Sequence, residues 1–354
     1  MKSSAGTTRT QGNRATTAQP LLDRVLALNR PLTALGAVML VTFVATVVGI
    51  FMDPRVITGV PAWVKPAKFA ISTSVYAFTF AWLLGFVEGH SRLARLMANV
   101  TVASIVVEMF AIISQVARGT TSHFNVSTPF NSFVWMSMGG FIVLVWTMNL
   151  LLAILLIRQR MTDRAFAWSL RLGVLISSVG MAVAFLMVRP TSQQVAAIAG
   201  GYSPRIVGAH SVGGADGGPG LPFVGWSTVV GDLRVGHFIG LHALQVLPFL
   251  GWLLSRRRGV LAFLSAVDRL ALVRTGGLAY LGLVALVVWQ AMRGQSVIRP
   301  DVATIAVAAA LAAGVATSIA IIVARVWNRN RKEPAMAAAI RILTNQILTY
   351  REDV

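Results

Sequence analysis

The sequence predicts an all-α, polytopic membrane bundle of about eight transmembrane helices, and three observations predict it. Apolar runs long enough to cross a bilayer recur along the 354 residues. Hydrophobic residues make up 56% of the chain against 12% charged. Mean hydropathy is +0.71. A helix rises about 1.5 Å per residue, so a hydrocarbon core of roughly 30 Å takes about 20 apolar residues.

The elements follow in order. Residues 1–30 are expected to form a basic cytoplasmic tail, disordered over the small, polar stretch 1–20. The first span, Pro31–Met52, starts too late for a secretory signal and has no small-residue cleavage site behind it. Ala67–Gly89, Leu96–Ala117, Ser132–Ile157 and Phe166–Val188 supply spans two to five, and Gly236–Ser255 the sixth. Pro248 should bend that sixth helix and free carbonyls at its middle. Gly259–Thr275 reads as an amphipathic helix in the headgroup plane, with Leu261, Leu264, Val267 and Leu270 on one side and Arg256–Arg258 near anionic lipid. Gly276–Met292 and Val302–Trp327 complete the transmembrane bundle of 31–327, and 328–354 is expected to be a cytoplasmic C-terminal tail.

Lys and Arg number 31 against 12 Asp and Glu. In a membrane protein such an excess marks loops that stay in the cytoplasm. With the N-terminus inside, 21 of the basic residues fall on inner segments, nine on outer segments and Arg171 within a span. That split predicts both termini in the cytoplasm and a cell (plasma/inner) membrane location. It also argues against nucleic acid as a partner, because no soluble basic domain remains outside the spans. The chain has no cysteine, which excludes disulfides, thiolate ligands and cysteine-linked haem.

Residues 189–235 form an outer segment of 47 residues containing DGGPGLPFVGWST. Leu221, Phe223 and Trp226 are residues that a free connector has no use for, so the segment reads as a lid; a loose interfacial connector is the alternative.

Polar residues inside spans are costly and normally face the bundle interior, so candidate chemistry starts with them. Thr101, Ser104, Glu108 and Gln115 share one face of the third span. Glu108, about 14 Å deep by helix rise, has to be protonated, paired or metal-bound; a neutral interhelical hydrogen bond is the plain alternative. In the sixth span, His237 and His242 flank Gln245 in angle, as ligands or as hydrogen-bonded structural residues. Lys68, Ser72, Tyr76 and Thr79 trace one face of span two, while Trp63 and Lys65 read as interfacial anchors. Arg118 and His123 lie between spans three and four. Glu108 and His242 are expected to face each other at similar depth as catalytic groups. Lys68, Tyr76, Gln115, Arg118 and Gln245 are the expected substrate contacts, and His123, His237, His242 and Glu108 the expected metal ligands.

The strings WVKPAKFAISTSVY, RGTTSHFN, DGGPGLPFVGWST and GDLRVGHFIGLHALQ resemble a family of bacterial multipass membrane proteins to which no activity is assigned. That resemblance implies the architecture and carries over no catalytic residue. Membrane hydrolases related to ceramidases use an HxxxH pair and a span aspartate, whereas this chain has HxxxxH and no aspartate within a span. Cytochrome b561-like proteins need haem-binding histidines on four helices, and here the two span histidines share one. Three functions remain open. One is an enzyme using a transition metal or haem held by histidine and carboxylate. The second is a transporter or small-molecule binder with Glu108 as its protonatable group. The third is an assembly factor without chemistry. The lipid bilayer is the partner common to all three.

Overall fold

The computed structural model describes residues 29–256 and 259–352. The expected disordered tail and Arg257–Arg258 lie outside the described residues, apart from Asn29 and Arg30, which open the first helix. Eight helices among the described residues are long and apolar enough to span a membrane, and the chain is a multipass integral membrane protein.

Most spans begin where a side chain caps the free backbone N–H groups, though those at Val64 and Ser91 do not. Helix α1 (Arg30–Met52) starts at Asn29, whose Oδ1 accepts from Leu32 N at 3.2 Å, with Pro31 in the first turn. A hairpin of β1 (Val56–Ile57) and β2 (Val60–Pro61) turns through Thr58 and Gly59, both at positive φ, into α2 (Val64–Leu84). Helix α3 (Ser91–Ala117) follows, and α4 (Pro129–Arg158) opens on Thr128 with proline behind it. Asp163 caps α5 (Arg164–Ala182), which passes through a short α6 (Ala184–Met187) into α7 (Ser192–Ala199), itself opened by a Thr191–Gln194 capping box. Strands β3 (Ser211–Val212) and β4 (Gly231–Asp232) pair antiparallel, and Asp232 caps α8 (Leu233–Ser255). Helices α9 (Ala266–Met292) and α10 (Val302–Glu352) complete the chain.

One expectation is corrected here. The headgroup helix over 259–275 does not form. Gly259–Phe263 is a 3-10 turn, and a Ser265–Asp268 capping box starts the seventh span at Ala266. Leu261, Leu264 and Leu270 pack with Leu254, Val273 and Trp168, so the apolar stripe covers the inner end of the bundle instead of lipid. The helix of the eighth span, apolar over Val302–Arg331, continues to Glu352.

Helix α5 packs most extensively on α8, and glycines make that contact close. A Cβ on Gly180 would stand 2.5 Å from Gly240 Cα, one on Gly173 3.0 Å from Pro248 Cδ, and one on Gly251 2.0 Å from Ser169 Oγ. Association within lipid gains from such backbone approach. Helices α2 to α5 and α8 enclose the core, where Phe80, Leu152, Leu156, Leu170, Val174 and Leu244 are fully buried. Helix α10 lies at the edge and exposes Ile305, Ile319, Ile321 and Val323. Apolar exposure of that kind suits a lipid-facing helix.

Candidate functional site

One end of the bundle is closed by its connections. Segment 189–232 is the lid that its composition predicts. Val126 N donates to Arg205 O and Val207 N to Phe124 O, both at 2.9 Å, which ties the lid to the α3–α4 loop. Trp226 meets Phe238 of α8 edge-on at 5.7 Å. Ser296 Oγ donates to Ser227 O across the α9–α10 connection at 2.9 Å. The DGGPG turn meets the first hairpin: Gly217 abuts Thr58 and Gly59, where only glycine leaves room.

Two basic side chains latch the lid to the helices. Lys68 Nζ donates to Val224 O at 3.2 Å, and Arg234 Nη2 to Gly225 O at 2.6 Å. The Asp232 carboxylate, with no exposed surface, holds Arg234 through Nε and Nη2 and also accepts from Ser227 N. That fork-on-carboxylate geometry is the strong form of the ion pair.

Lys65 is the basic group left over. Its residue opens α2, and its side chain is half-buried beneath the lid instead of anchoring at the membrane surface. It has no hydrogen bond or ion pair among the described residues, yet its charge acts on Glu108, His123, His210 and Asp216. The facing acid is Glu108, 3% exposed, with neither carboxylate oxygen partnered. A buried carboxyl without hydrogen bonds is expensive, by several kcal/mol.

The groups that feel the Lys65 charge include two imidazoles set among aromatic rings. His123 shares a 3.0 Å hydrogen bond with Ser122 Oγ and lies against Phe69 at 5.5 Å and Trp135 at 5.3 Å. Burial, then the charge of Lys65, holds its pKa well below the ordinary histidine value, so the ring is neutral. His210 packs on Phe124 at 4.9 Å and donates from Nδ1 to Asp216 Oδ2 at 2.8 Å. Burial lowers the His210 pKa and outweighs the Asp216 carboxylate, which pulls the other way. Burial alone would raise the Asp216 pKa. The His210 ring and the N–H groups of His210 and Ser211 reverse that and hold it below the usual carboxylate range. The pair is therefore a neutral imidazole donating to a carboxylate.

Other expected site residues turn out to be engaged in structure. Arg118 Nη1 donates to Gln115 Oε1 at 2.7 Å and to Asn131 Oδ1 at 3.0 Å, and its guanidinium covers Phe130. Gln115 Nε2 also donates to Asn131. These three groups bond to one another and close the α3–α4 connection; Gln115 is buried there, while Arg118 stays exposed with its bonds made through Nη1. His237 donates from Nδ1 to Gly180 O at 2.8 Å, fastening α8 to α5. His242 Nδ1 donates to Gln245 Oε1 at 3.3 Å, and Gln245 Nε2 to Thr79 Oγ1 at 3.1 Å. Glu108 and His242 thus belong to separate groups of contacts, one with Lys65 and one with Phe238, Gln245 and Thr79. His123, His237, His242 and Glu108 are not gathered either; among the described residues no three His, Asp or Glu side chains come together as metal ligands.

Tyr76 is the remaining expected contact, and its hydroxyl is buried without a partner. So are the hydroxyls of Thr101 and Ser104 below Glu108, the Ser177 hydroxyl and the Asn149 carbonyl oxygen. Asn149 and Ser177 were open to the same sequence argument that selects Glu108, since both are polar residues in the middle of apolar spans. Lys65 was not, because a lysine at a span end has an adequate reading as an anchor. No family model, curated protein or solved structure matches the chain.

Proposed function

We propose that this protein is a carrier or binder for a small organic anion, loaded from the lid side of a cell (plasma/inner) membrane. In this reading Lys65 and Lys68 take the anionic group, and Glu108 carries the compensating charge change. The single observation behind it is the opposed pair of Lys65 and Glu108, both without hydrogen bonds, enclosed under a latched lid. A structural ion pair would close to contact, as Asp232 and Arg234 do at 2.6 Å. A lysine and a carboxyl held apart instead leave their desolvation costs to be offset by something that binds. The enzyme reading with four metal ligands has no comparable support, since its ligands are dispersed over separate contacts. The His210–Asp216 pair and neutral His123 then serve as chamber walls that add no positive charge of their own.

The test is thermal unfolding of detergent-purified protein against acetate, succinate and inorganic phosphate at constant ionic strength. An anion held at 100 times its Kd stabilises by about 2.7 kcal/mol. The expected result is a saturable rise in Tm with at least one anion, lost in Lys65→Ala and kept in Arg55→Ala, whose side chain is an exposed partner of Asp53. No rise with any of them, or a rise that survives Lys65→Ala, rejects the reading.

A further inference from the structure

At the end of the bundle opposite the lid, α5 and α9 both begin at one cavity of about 380 Å³. Thr162, Asp163 and Arg164 line it from the α5 side, and Ala266, Val267 and Arg269 from the α9 side. Two helix N-termini thus bring their positive ends to the same space. Arg269 adds an unmet donor. It is 3% exposed and bonds Asp163 Oδ2 through Nη1 alone, at 2.7 Å. Its Nε–H is buried with no acceptor. Arg55 and Arg234, by contrast, each set Nε and Nη2 together on one carboxylate. A buried donor left without an acceptor is costly and calls for a partner.

The carboxylates at this end are already engaged. Asp163 Oδ1 accepts from Ala165 N and Phe166 N, and its Oδ2 from Arg269. Asp268 accepts from Ser265 N and pairs with Arg329 at 2.8 Å. Arg164 is exposed and has no hydrogen bond or ion pair among the described residues. Arg171 of α5 and Arg274 of α9 both lie over the Trp168 ring, at 5.7 and 4.9 Å. With Arg164, Arg269 and Arg329 they outnumber Asp163 and Asp268, so the region is positive. Apolar surface adjoins it: Val267 lines the cavity and is 69% exposed, and nearby Phe263 is 61% exposed. Cationic and apolar groups side by side at the ends of two spans lie where lipid headgroups meet acyl chains.

We infer that this cavity is a site for an anionic phospholipid, its phosphate held between the starts of α5 and α9 by Arg164 and the Arg269 Nε–H, and its acyl chains passing Val267. Phosphate oxygens suit the planar donors of arginine and the positive ends of helices. Free phosphate shares that chemistry but gains nothing from exposed Val267 and Phe263. A zwitterionic phospholipid brings a cation of its own, which Arg164 and Arg274 repel. A phosphate bonded to both helix starts fastens α5 to α9, so its binding is read as stability. The site lies at the other end of the spans from Lys65, and it does not depend on the carrier reading.

The experiment uses full-length protein in dodecyl maltoside, titrated with phosphatidylglycerol or with phosphatidylcholine of the same chain length, and Tm is read by tryptophan fluorescence. The expected result is a saturable rise with phosphatidylglycerol and a much smaller one with phosphatidylcholine. The half-saturation concentration should increase about fivefold in Arg164→Gln, the loss of one arginine beside an anionic headgroup. It should also increase in Arg269→Lys, which keeps a charge facing Asp163 and loses the Nε–H. Arg92→Gln, at an exposed position where α3 starts at the same end, should leave it unchanged. The Tm of each variant without lipid reports its fold, and Arg164, exposed and unpartnered, supplies the test if Arg269→Lys does not fold. Equal responses to the two lipids overturn the inference. So does a phosphatidylglycerol response that a folded variant of either arginine leaves unchanged, or that Arg92→Gln weakens as much. Sodium phosphate at constant ionic strength is the third arm: a rise of the same size with the same dependence on Arg164 makes this a free-anion site and overturns the lipid. Lys65→Ala should keep the phosphatidylglycerol response, and its loss there would place the lipid under the lid instead.

Discussion

Replacing Gly180 by alanine should loosen the α5–α8 crossing and lower stability by about 2–4 kcal/mol. The added Cβ would lie 2.5 Å from Gly240 Cα and C and 2.7 Å from Leu241 N, all of them backbone atoms that have no rotamer to escape into. Carbon atoms pack at about 3.5 Å, so the two helices must part by roughly 1 Å. Overpacking of this kind costs about 1–3 kcal/mol. Separation also stretches the 2.8 Å bond from His237 Nδ1 to Gly180 O, worth about 1 kcal/mol more. Gly139→Ala is the control: nothing lies within 4 Å of its Cβ, and helix propensity favours alanine by about 1 kcal/mol. Thermal unfolding in one detergent, followed by circular dichroism or by the nine tryptophans, gives the comparison. If Gly180→Ala melts at or above the wild-type temperature, or no lower than Gly139→Ala, close backbone contact does not hold these helices together.

Two further predictions concern topology and the lid. Reporter fusions after residue 25 and after residue 350 should both report cytoplasm, because eight spans return the chain to its starting side and basic residues crowd that side; a translocated reporter at either point contradicts the topology. The lid should loosen below neutral pH. His210 has a folded pKa beneath its unfolded value of about 6.5, so the unfolded chain binds more protons and stability falls as pH drops through that value, levelling off below the folded pKa. Asp216, also depressed, adds a loss below pH about 4 as it is protonated. Protease cleavage within 189–232 should therefore speed up between pH 7 and 5.5, and His210→Gln should flatten that change. A cleavage rate that is flat across this range in the native protein excludes His210 as the cause.

The spans were legible because their signal is one-dimensional: about 20 apolar residues must follow one another whatever the rest of the chain does. The caps at Asn29, Thr128, Asp163 and Asp232 are equally local, and their residue types agree with the helix starts they make. The stripe over 259–275 misled for the opposite reason. Apolar residues on one side of a helix look alike whether they face lipid or, like Leu261 and Leu264, the ends of other helices. Glu108 was legible as a costly residue, but its counterpart was not. His242 matched it in depth, and depth carries no information about which helices are neighbours. Lys65 became its counterpart only through the path of the lid, which no spacing within the chain records. Gln115 and Arg118 were picked out as polar, but their bonds to Asn131 one helix later were not legible.

The cap formed by the lid has a consequence for how the molecule is made. Its stitches join points far apart in the chain: Arg55 to Ala117, Phe124 to Val207, Lys68 to Val224, and Ser227 to Ser296. The last of these needs the connection at 293–301, which emerges only after seven spans have been inserted. Until then Ser227 has no Ser296 to meet, and the lid is held by its earlier stitches alone. The lid therefore gains its full set of stitches only in the final step of assembly, when α9 and α10 arrive.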